Sequence, residues 1–432
     1  MRSIWENENN LPSFEPQKQE IKTDVLIIGG GLAGVLCAYE LRQAGVDCCL
    51  IESERVCRGV TANTTAKITS QHGFVYAKLQ RRFGDEKARL YWQANQEALE
   101  RYRQLCNEID CEFEEQDNAV YALYDPKTAL DEANALQQLH IPAQYTDTLP
   151  LPLPIKGALI FKKQAQFHPL KFVAGIAKDL PIYEHTRAIA YEGDGTVLTD
   201  RGRIHASRIV VTTHFPIFNK HGCYPLKLYQ HRSYVLGLER VPRLSGMYVD
   251  EDLKGLSFRW HNEVLLLGGG SHRTGKQGGN WAQLSAFARR QFPESRPVCR
   301  FATQDCMTLD DVPYIGQYSP RTPRLYVATG FNKWGMTSAM VAARLLRDQL
   351  CGQDNPYTAL FSPSRTILRP QLAVNVAESV KHLLTPKRPR CPHLGCALTW
   401  NSREHSWDCP CHGSRFDENG HLLEGPATDD LT

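Results

Sequence analysis

The chain has 432 residues, 42% hydrophobic and 22% charged, which excludes wholesale disorder and suggests two or three domains. Lys and Arg number 50 against 47 Asp and Glu, and the resulting +3 gives no electrostatic case for a nucleic-acid binder. No run of about 18 apolar residues is present to span a bilayer, and residues 1–7 lack an apolar signal core and a cleavage site, so a cytoplasmic location is expected. In chain order, residues 1–20 read as a polar surface arm and 24–28 as a short buried strand. The glycines 29–34 follow, then a helix from about 32 to 43 ending at Gly45, and a second strand at 47–51. Residues 80–110 have helical spacing, and the Pro-rich 149–154 is a rigid connector. A buried strand is expected at 204–213 and antiparallel strands over 224–270. A last strand at 324–329 meets Gly330 and a helix from about 337 to 350. Ten of the 14 cysteines are scattered over the first 351 residues and read as reduced, buried thiols. The other four crowd into the last 42 residues beside His393 and His412, marking a second module.

Gly29, Gly31 and Gly34 form GxGxxG between a strand and a helix. The first glycine permits the turn, the second lets backbone approach a pyrophosphate, and the third lets helix and strand pack closely. The helix N-terminus offers N–H groups to phosphate, and Glu52, closing the second strand, is placed to accept hydrogen bonds from ribose hydroxyls. Together these specify a dinucleotide site.

The fingerprint, the run 59–73 and the strand–glycine loop–helix start at 328–337 together resemble the D-amino-acid oxidase-like superfamily of FAD-dependent oxidoreductases, over roughly residues 20–352. The resemblance implies FAD, with its adenosine half at Gly29, Gly31, Gly34 and Glu52 and its isoalloxazine end at Gly330, Gly335, Met336 and Thr337. It also implies that Thr64, Thr65 and Lys67 run past the flavin. Lys67 and His72 are the candidate catalytic residues, although a lone histidine in a loop is more often structural and His72 reads first in that way. The implied division is FAD-binding parts at 21–80, 155–220 and 300–352, with substrate-domain parts at 81–154 and 221–299.

Near the C-terminus, Cys391-Pro-His393 precedes Cys409-Pro-Cys411-His412 by fifteen residues. One Cys and one His from each loop, giving two thiolates to one iron and two imidazoles to the other, describe a Rieske [2Fe–2S] centre with ligands Cys391, His393, Cys409 and His412. The alternative, a structural zinc site, favours C-x2-4-C and H-x3-5-H spacing instead. The loops resemble Rieske proteins of the high-potential class, and that resemblance implies a disulfide between Cys396 and Cys411 and a covering loop at Gly425-Pro426-Ala427. Two departures stand out: the strands that usually precede the first ligand loop are missing, and Phe416 occupies the position of a sulfur-bonding Tyr. Residues 353–387 read as a linker and docking helix, which with its basic run also reads as a membrane-surface anchor. Residues 388–432 read as a truncated Rieske subdomain.

The expected fold is therefore α/β: a Rossmann-like FAD-binding domain, a mixed β-sheet substrate domain and a small all-β cluster-binding subdomain. The resemblance implies oxidation of an amine or amino acid, with electrons passing from flavin to the Rieske cluster and on to an external acceptor or donor protein. It favours a dehydrogenase over an oxidase. The alternative is a redox-sensing or electron-transfer module without small-molecule turnover.

Overall fold

A computed structural model describes residues 3–8, 11–278 and 280–431. Residues 1, 2, 9 and 10 of the expected arm lie outside it. Among the described residues, an eight-stranded sheet carries the order Tyr314–Gln317, Leu325–Thr329, Gly202–Val211, Ile21–Ile28, Cys48–Ile51, Ile182–Tyr183, with the hairpin Ala188–Tyr191/Thr196–Thr199 on one side. All but the Tyr314–Gln317 edge of that series pair parallel. Val25–Ile28 and Cys48–Ile51 are buried at every position, the unbroken apolar run expected of parallel strands covered on both faces. Helices Leu32–Gln43 and Gly335–Leu350 pack against each other beside this sheet. Each starts beyond the C-terminal end of a strand, where open α/β sheets bind ligands.

A nine-stranded mixed sheet forms the second layer. Its long strand Leu228–Glu239 pairs antiparallel with Val264–Arg273 and Arg296–Thr308, and at its other end Glu114–Ala122 pairs with Gly157–Gln166. Residues 157–166, and 300–308 of the last FAD-binding stretch, belong to this sheet, because their strands find their hydrogen-bonding partners there. The expected surface arm also turns inward. Trp5, in the turn Ile4–Glu8, is fully buried, with its indole beside the Arg259 guanidinium and its Nε1 donating to the Thr64 carbonyl (2.7 Å). The helical stretch 80–110 is two helices, Tyr76–Phe83 and Asp85–Cys106, broken at Gly84, whose φ of +82° only glycine adopts without strain.

The C-terminal sheet has four antiparallel strands of three residues each: Thr399–Asn401, Ser406–Asp408, Arg415–Asp417 and Leu422–Glu424. The helix Pro370–Leu384 joins it to the rest. No described helix is long and apolar enough to cross a membrane.

Candidate functional site

A cavity of about 900 Å³ runs from the first glycine turn to the loop at 330–336, within the size range of small-molecule and cofactor sites. At one end Gly29 turns the chain with φ +108°. A Cβ on Gly34 would lie 2.0 Å from the Gly29 carbonyl oxygen and 2.8 Å from Thr212 Oγ1, so the protein itself demands this glycine. Gly31 is different: a Cβ there would meet only Thr61 Oγ1, at 3.8 Å, and the residue lines the cavity. Gly31 is also the N-cap of Leu32–Gln43 and supplies no capping side chain; the Leu32 N–H donates to Thr61 Oγ1 (3.1 Å), and the next N–H groups of the first turn are left for an anion. Glu52 Oε2 accepts from the Gly30 N–H (2.6 Å) and Oε1 from the Glu54 N–H (2.9 Å), fixing the carboxylate at the cavity wall.

The segment 64–67 is held from behind. Thr64 Oγ1 accepts from the Ala66 N–H (3.0 Å), and the Thr65 carbonyl accepts from Arg259. Arg259 is buried and donates further to Gln166 Oε1 (3.0 Å) and the Phe167 carbonyl (2.8 Å). Burial and then the neighbouring Arg259 charge push the Lys67 ammonium down to about 7, at the cavity wall. His72 is a neutral wall residue with both ring nitrogens engaged. Burial pushes it down to about 3, its Nδ1 meets the Tyr91 hydroxyl (2.7 Å), its Nε2 meets the Thr69 carbonyl (2.8 Å), and it stacks on Trp334.

At the other end Gly330 has φ +71°, and a Cβ there would lie 2.3 Å from Thr308 Cγ2. Gly335, against whose Cβ nothing would press, begins the helix Gly335–Leu350, two residues earlier than the sequence suggests. The Met336 carbonyl accepts from the Tyr102 hydroxyl (2.9 Å), and Thr337 Oγ1 sits behind the wall, 3.0 Å from His72 Nε2. Sequence reasoning missed the polar group facing this end. Ser233 Oγ donates to Asp305 Oδ2 (3.0 Å) and Lys333 Nζ to Ser271 Oγ (2.8 Å), all four residues lining the cavity. Burial pushes the Asp305 carboxyl up to about 6 and the Lys333 ammonium down. Lys333 lies inside the glycine loop and could have been noticed. Asp305, Ser271 and Arg259 belong to no local motif.

The C-terminal loops bring together the four expected ligands. The Cys391 and Cys409 thiols are close enough to perturb each other's ionisation, and the His393 and His412 rings lie 5.0 Å apart. Both histidine Nδ1 atoms are buried without a partner, while His393 Nε2 meets Asn219 Oδ1 (3.0 Å) and His412 Nε2 the Pro225 carbonyl (3.0 Å). Burial pushes the two imidazoles down to about 3 and about 4, so both are neutral, the form that ligates metal. Two converging thiols and two orphaned imidazole nitrogens fit a Rieske cluster. The Cys396–Cys411 disulfide is not formed here. Every cysteine is a free thiol, and the sulfurs of Cys396, Cys409 and Cys411 instead gather within 4.8 Å of one another. Ser414 is buried with its Oγ on the Ala427 N–H (3.0 Å), so the 425–427 loop closes over the cluster loops, and Phe416 is fully buried among the cysteines.

The cluster subdomain is seated on the nine-stranded sheet. Arg232 donates to Glu404 and Glu424 (2.6 Å each), and Arg415 reaches the same two carboxylates. Arg273 donates to the carbonyls of Pro410 (3.1 Å) and Cys411 (3.2 Å). Phe215 stands between the two sites: it lines the cavity and packs edge-on against His393 (5.8 Å) and His412 (6.0 Å).

Residues 24–349 match the family model described as FAD dependent oxidoreductase. The chain belongs to that family. Residues 366–432 match the Rieske [2Fe-2S] domain model, so this member of the FAD-dependent oxidoreductase family carries both FAD and a Rieske cluster as its cofactors. It is 36% identical to a "Putative Rieske 2Fe-2S iron-sulfur protein YhfW" of Bacillus subtilis (strain 168), covering 98% of this chain and 96% of that one. A short stretch of 37 residues is 54% identical to the cytochrome b6-f complex iron-sulfur subunit of Nostoc punctiforme, 9% of this chain and 21% of the relative. Glycine oxidase from Geobacillus kaustophilus has the same fold, with a TM-score of 0.68 at 19% identity over 80% of this chain and all of the other. So does L-proline dehydrogenase from P. horikoshii, with a TM-score of 0.67 at 15% identity over 80% of this chain and 98% of the other.

Proposed function

We propose that this FAD-dependent oxidoreductase oxidises an amine or amino acid, and that the electrons leave one at a time through the Rieske centre to an external acceptor. On this reading it is a dehydrogenase rather than an oxidase. When bound, FAD supplies a two-electron acceptor and the cluster a one-electron carrier. The observation that carries the reading is Phe215, one side chain that walls the cavity and touches both cluster histidines. Gly31 and the start of Leu32–Gln43 would hold the pyrophosphate, Glu52 the ribose, and Thr64, Thr65 and the 330–337 loop the flavin end. Cys391, His393, Cys409 and His412 would hold the cluster, and Cys396 with Cys411 would form their bridge under oxidising conditions. Lys333 and Asp305 give the cavity a cation and a carboxyl on one wall, a pair suited to the carboxylate and amine of an amino acid. Lys67, with an ammonium brought to about 7 at the cavity wall, would be the group to exchange a proton with the substrate. The ten cysteines scattered over the first 351 residues, most of them buried, fit a cytoplasmic protein.

The test is anaerobic addition of a panel of glycine, D- and L-amino acids and secondary amines to the holoprotein. At least one should bleach the flavin absorbance and raise the EPR signal of the reduced cluster. Bleaching with an EPR-silent cluster would break the proposed route. A panel that bleaches nothing, while a chemical reductant still reduces both centres, would favour an electron-transfer module without turnover.

A further inference from the structure

The helix Pro370–Leu384 is inserted the wrong way round for a globular protein. Its polar residues face inward: Asn375 is buried and accepts from Arg273 Nη1 (3.0 Å), and Glu378 pairs with Lys276 (2.6 Å). Its apolar residues face out. Ala373, Val376, Ala377, Val380, Leu383 and Leu384 fall within an arc of about 120° at 100° per residue, and all are exposed. Leu384 is 77% exposed and Val380 49%. Elsewhere an amphipathic helix buries this stripe, so an outward row needs a partner.

The charge around the stripe says which. Between residues 365 and 390 the only acidic side chain is Glu378, already paired with Lys276. Lys381, Lys387 and Arg388 are exposed at the C-terminal end of the row, and none has an acidic partner among the described residues. Two copies meeting across a two-fold axis on this face would oppose like charges. An aliphatic row edged by unpaired cations is instead the pattern of a helix lying in the headgroup region of an anionic bilayer. We propose that the Pro370–Leu384 face docks the protein peripherally on an anionic membrane surface, with Val380, Leu383 and Leu384 in the acyl boundary and Lys381, Lys387 and Arg388 on the headgroups.

This docking stands independently of the redox chemistry proposed above. One consequence alone rests on that chemistry: Cys411 Sγ lies 3.9 Å from the Glu378 carbonyl oxygen on the inner side of the helix, so a membrane-borne acceptor would be one helix away from the cluster loop.

The experiment is flotation of the holoprotein with phosphatidylcholine vesicles and with vesicles of phosphatidylcholine mixed with an equal part of phosphatidylglycerol. The wild type should bind the anionic vesicles at least about tenfold more tightly, and salt should release it. Val380→Asp and the pair Lys387→Gln/Arg388→Gln should each weaken binding about tenfold while flavin absorbance and the cluster EPR signal stay unchanged, which separates lost docking from lost folding. Equal binding to both vesicle types, no binding to either, or Val380→Asp binding as tightly as wild type would each overturn the proposal. So would a dimer in sedimentation velocity that Val380→Asp disperses, because that would put a second copy on the face.

Discussion

Gly31 and Gly34 stand three residues apart and answer to different demands. A side chain at Gly34 collides with the protein's own backbone, the Gly29 carbonyl, whatever is bound. A side chain at Gly31 collides with nothing nearer than 3.8 Å and projects into the space where a pyrophosphate would be cradled. Gly31→Val should therefore purify soluble and flavin-free, with an apoprotein unfolding free energy within about 0.5 kcal/mol of wild type. Gly34→Val should lose flavin as well, but with a stability loss of about 3 kcal/mol from forced overpacking. Urea unfolding of the two apoproteins, with flavin content by absorbance, separates these outcomes. A Gly31→Val protein carrying full FAD would show that this turn does not hold the pyrophosphate. The glycine fingerprint was legible because its constraint is local: strand, turn and helix follow one another within a few residues. Arg259, which pins the 64–67 segment, was not, because its partners Thr65, Gln166 and Phe167 are distant in sequence and a lone arginine in a strand carries no signal.

Among the elements, the short strand Arg415–Asp417 carries the sharpest consequence. Phe416 is fully buried beside the cysteines, and its ring has no hydroxyl to offer a sulfur, whereas Ser414 keeps its own hydroxyl in the loop before it. Hydrogen bonds to cluster sulfurs stabilise the extra electron of the reduced state, so each raises the potential. Phe416→Tyr should raise the midpoint if the new hydroxyl reaches the Cys391 sulfur. One hydrogen bond of about 1 kcal/mol corresponds to roughly 40 mV for a single electron. Protein-film voltammetry gives the answer, and an unchanged or lowered midpoint with the cluster intact would mean that the ring does not face that sulfur. The missing strands ahead of Cys391 were readable from the sequence, since a basic, Pro-rich run cannot form them. The sheet to which Gly157–Gln166 belongs was not. Its run of β-formers suits either sheet, and long-range pairing with Glu114–Ala122 decides. Nor did the sequence indicate that Trp5 is buried, since a lone aromatic in a polar terminus gives no period to read.

Across the whole molecule, the two modules were legible as motifs, but the seam between them was not, because it is built from single residues on separate elements. Arg232 and Arg415 sit between Glu404 and Glu424, with Asp408 and Tyr234 at the edges. Burial works against the Glu404 carboxylate, yet Arg232 and Arg415 overcome it and hold the group down to about 2. Its folded value lies below the unfolded one of about 4.3, so its contribution is fully present above the unfolded value and fades as the pH falls towards 2. The difference corresponds to about 3 kcal/mol at neutral pH. The apoprotein, in which acid cannot act through the cluster, should therefore lose stability between about pH 4 and pH 2 more steeply than Glu404→Gln, which has no carboxyl to titrate there. Glu404→Gln should in turn be weaker at neutral pH, because it leaves two buried guanidiniums with one full charge fewer between them. Urea midpoints read separately from the tryptophans at 400 and 407 and from those of the flavin-binding part would follow the two bodies apart. If the two proteins share one acid profile, the salt-bridged seam is not what holds the cluster subdomain on the sheet, and the other contacts across it, those of Arg273 with Pro410 and Cys411 and of Gln304 with Gly413 among them, carry it instead.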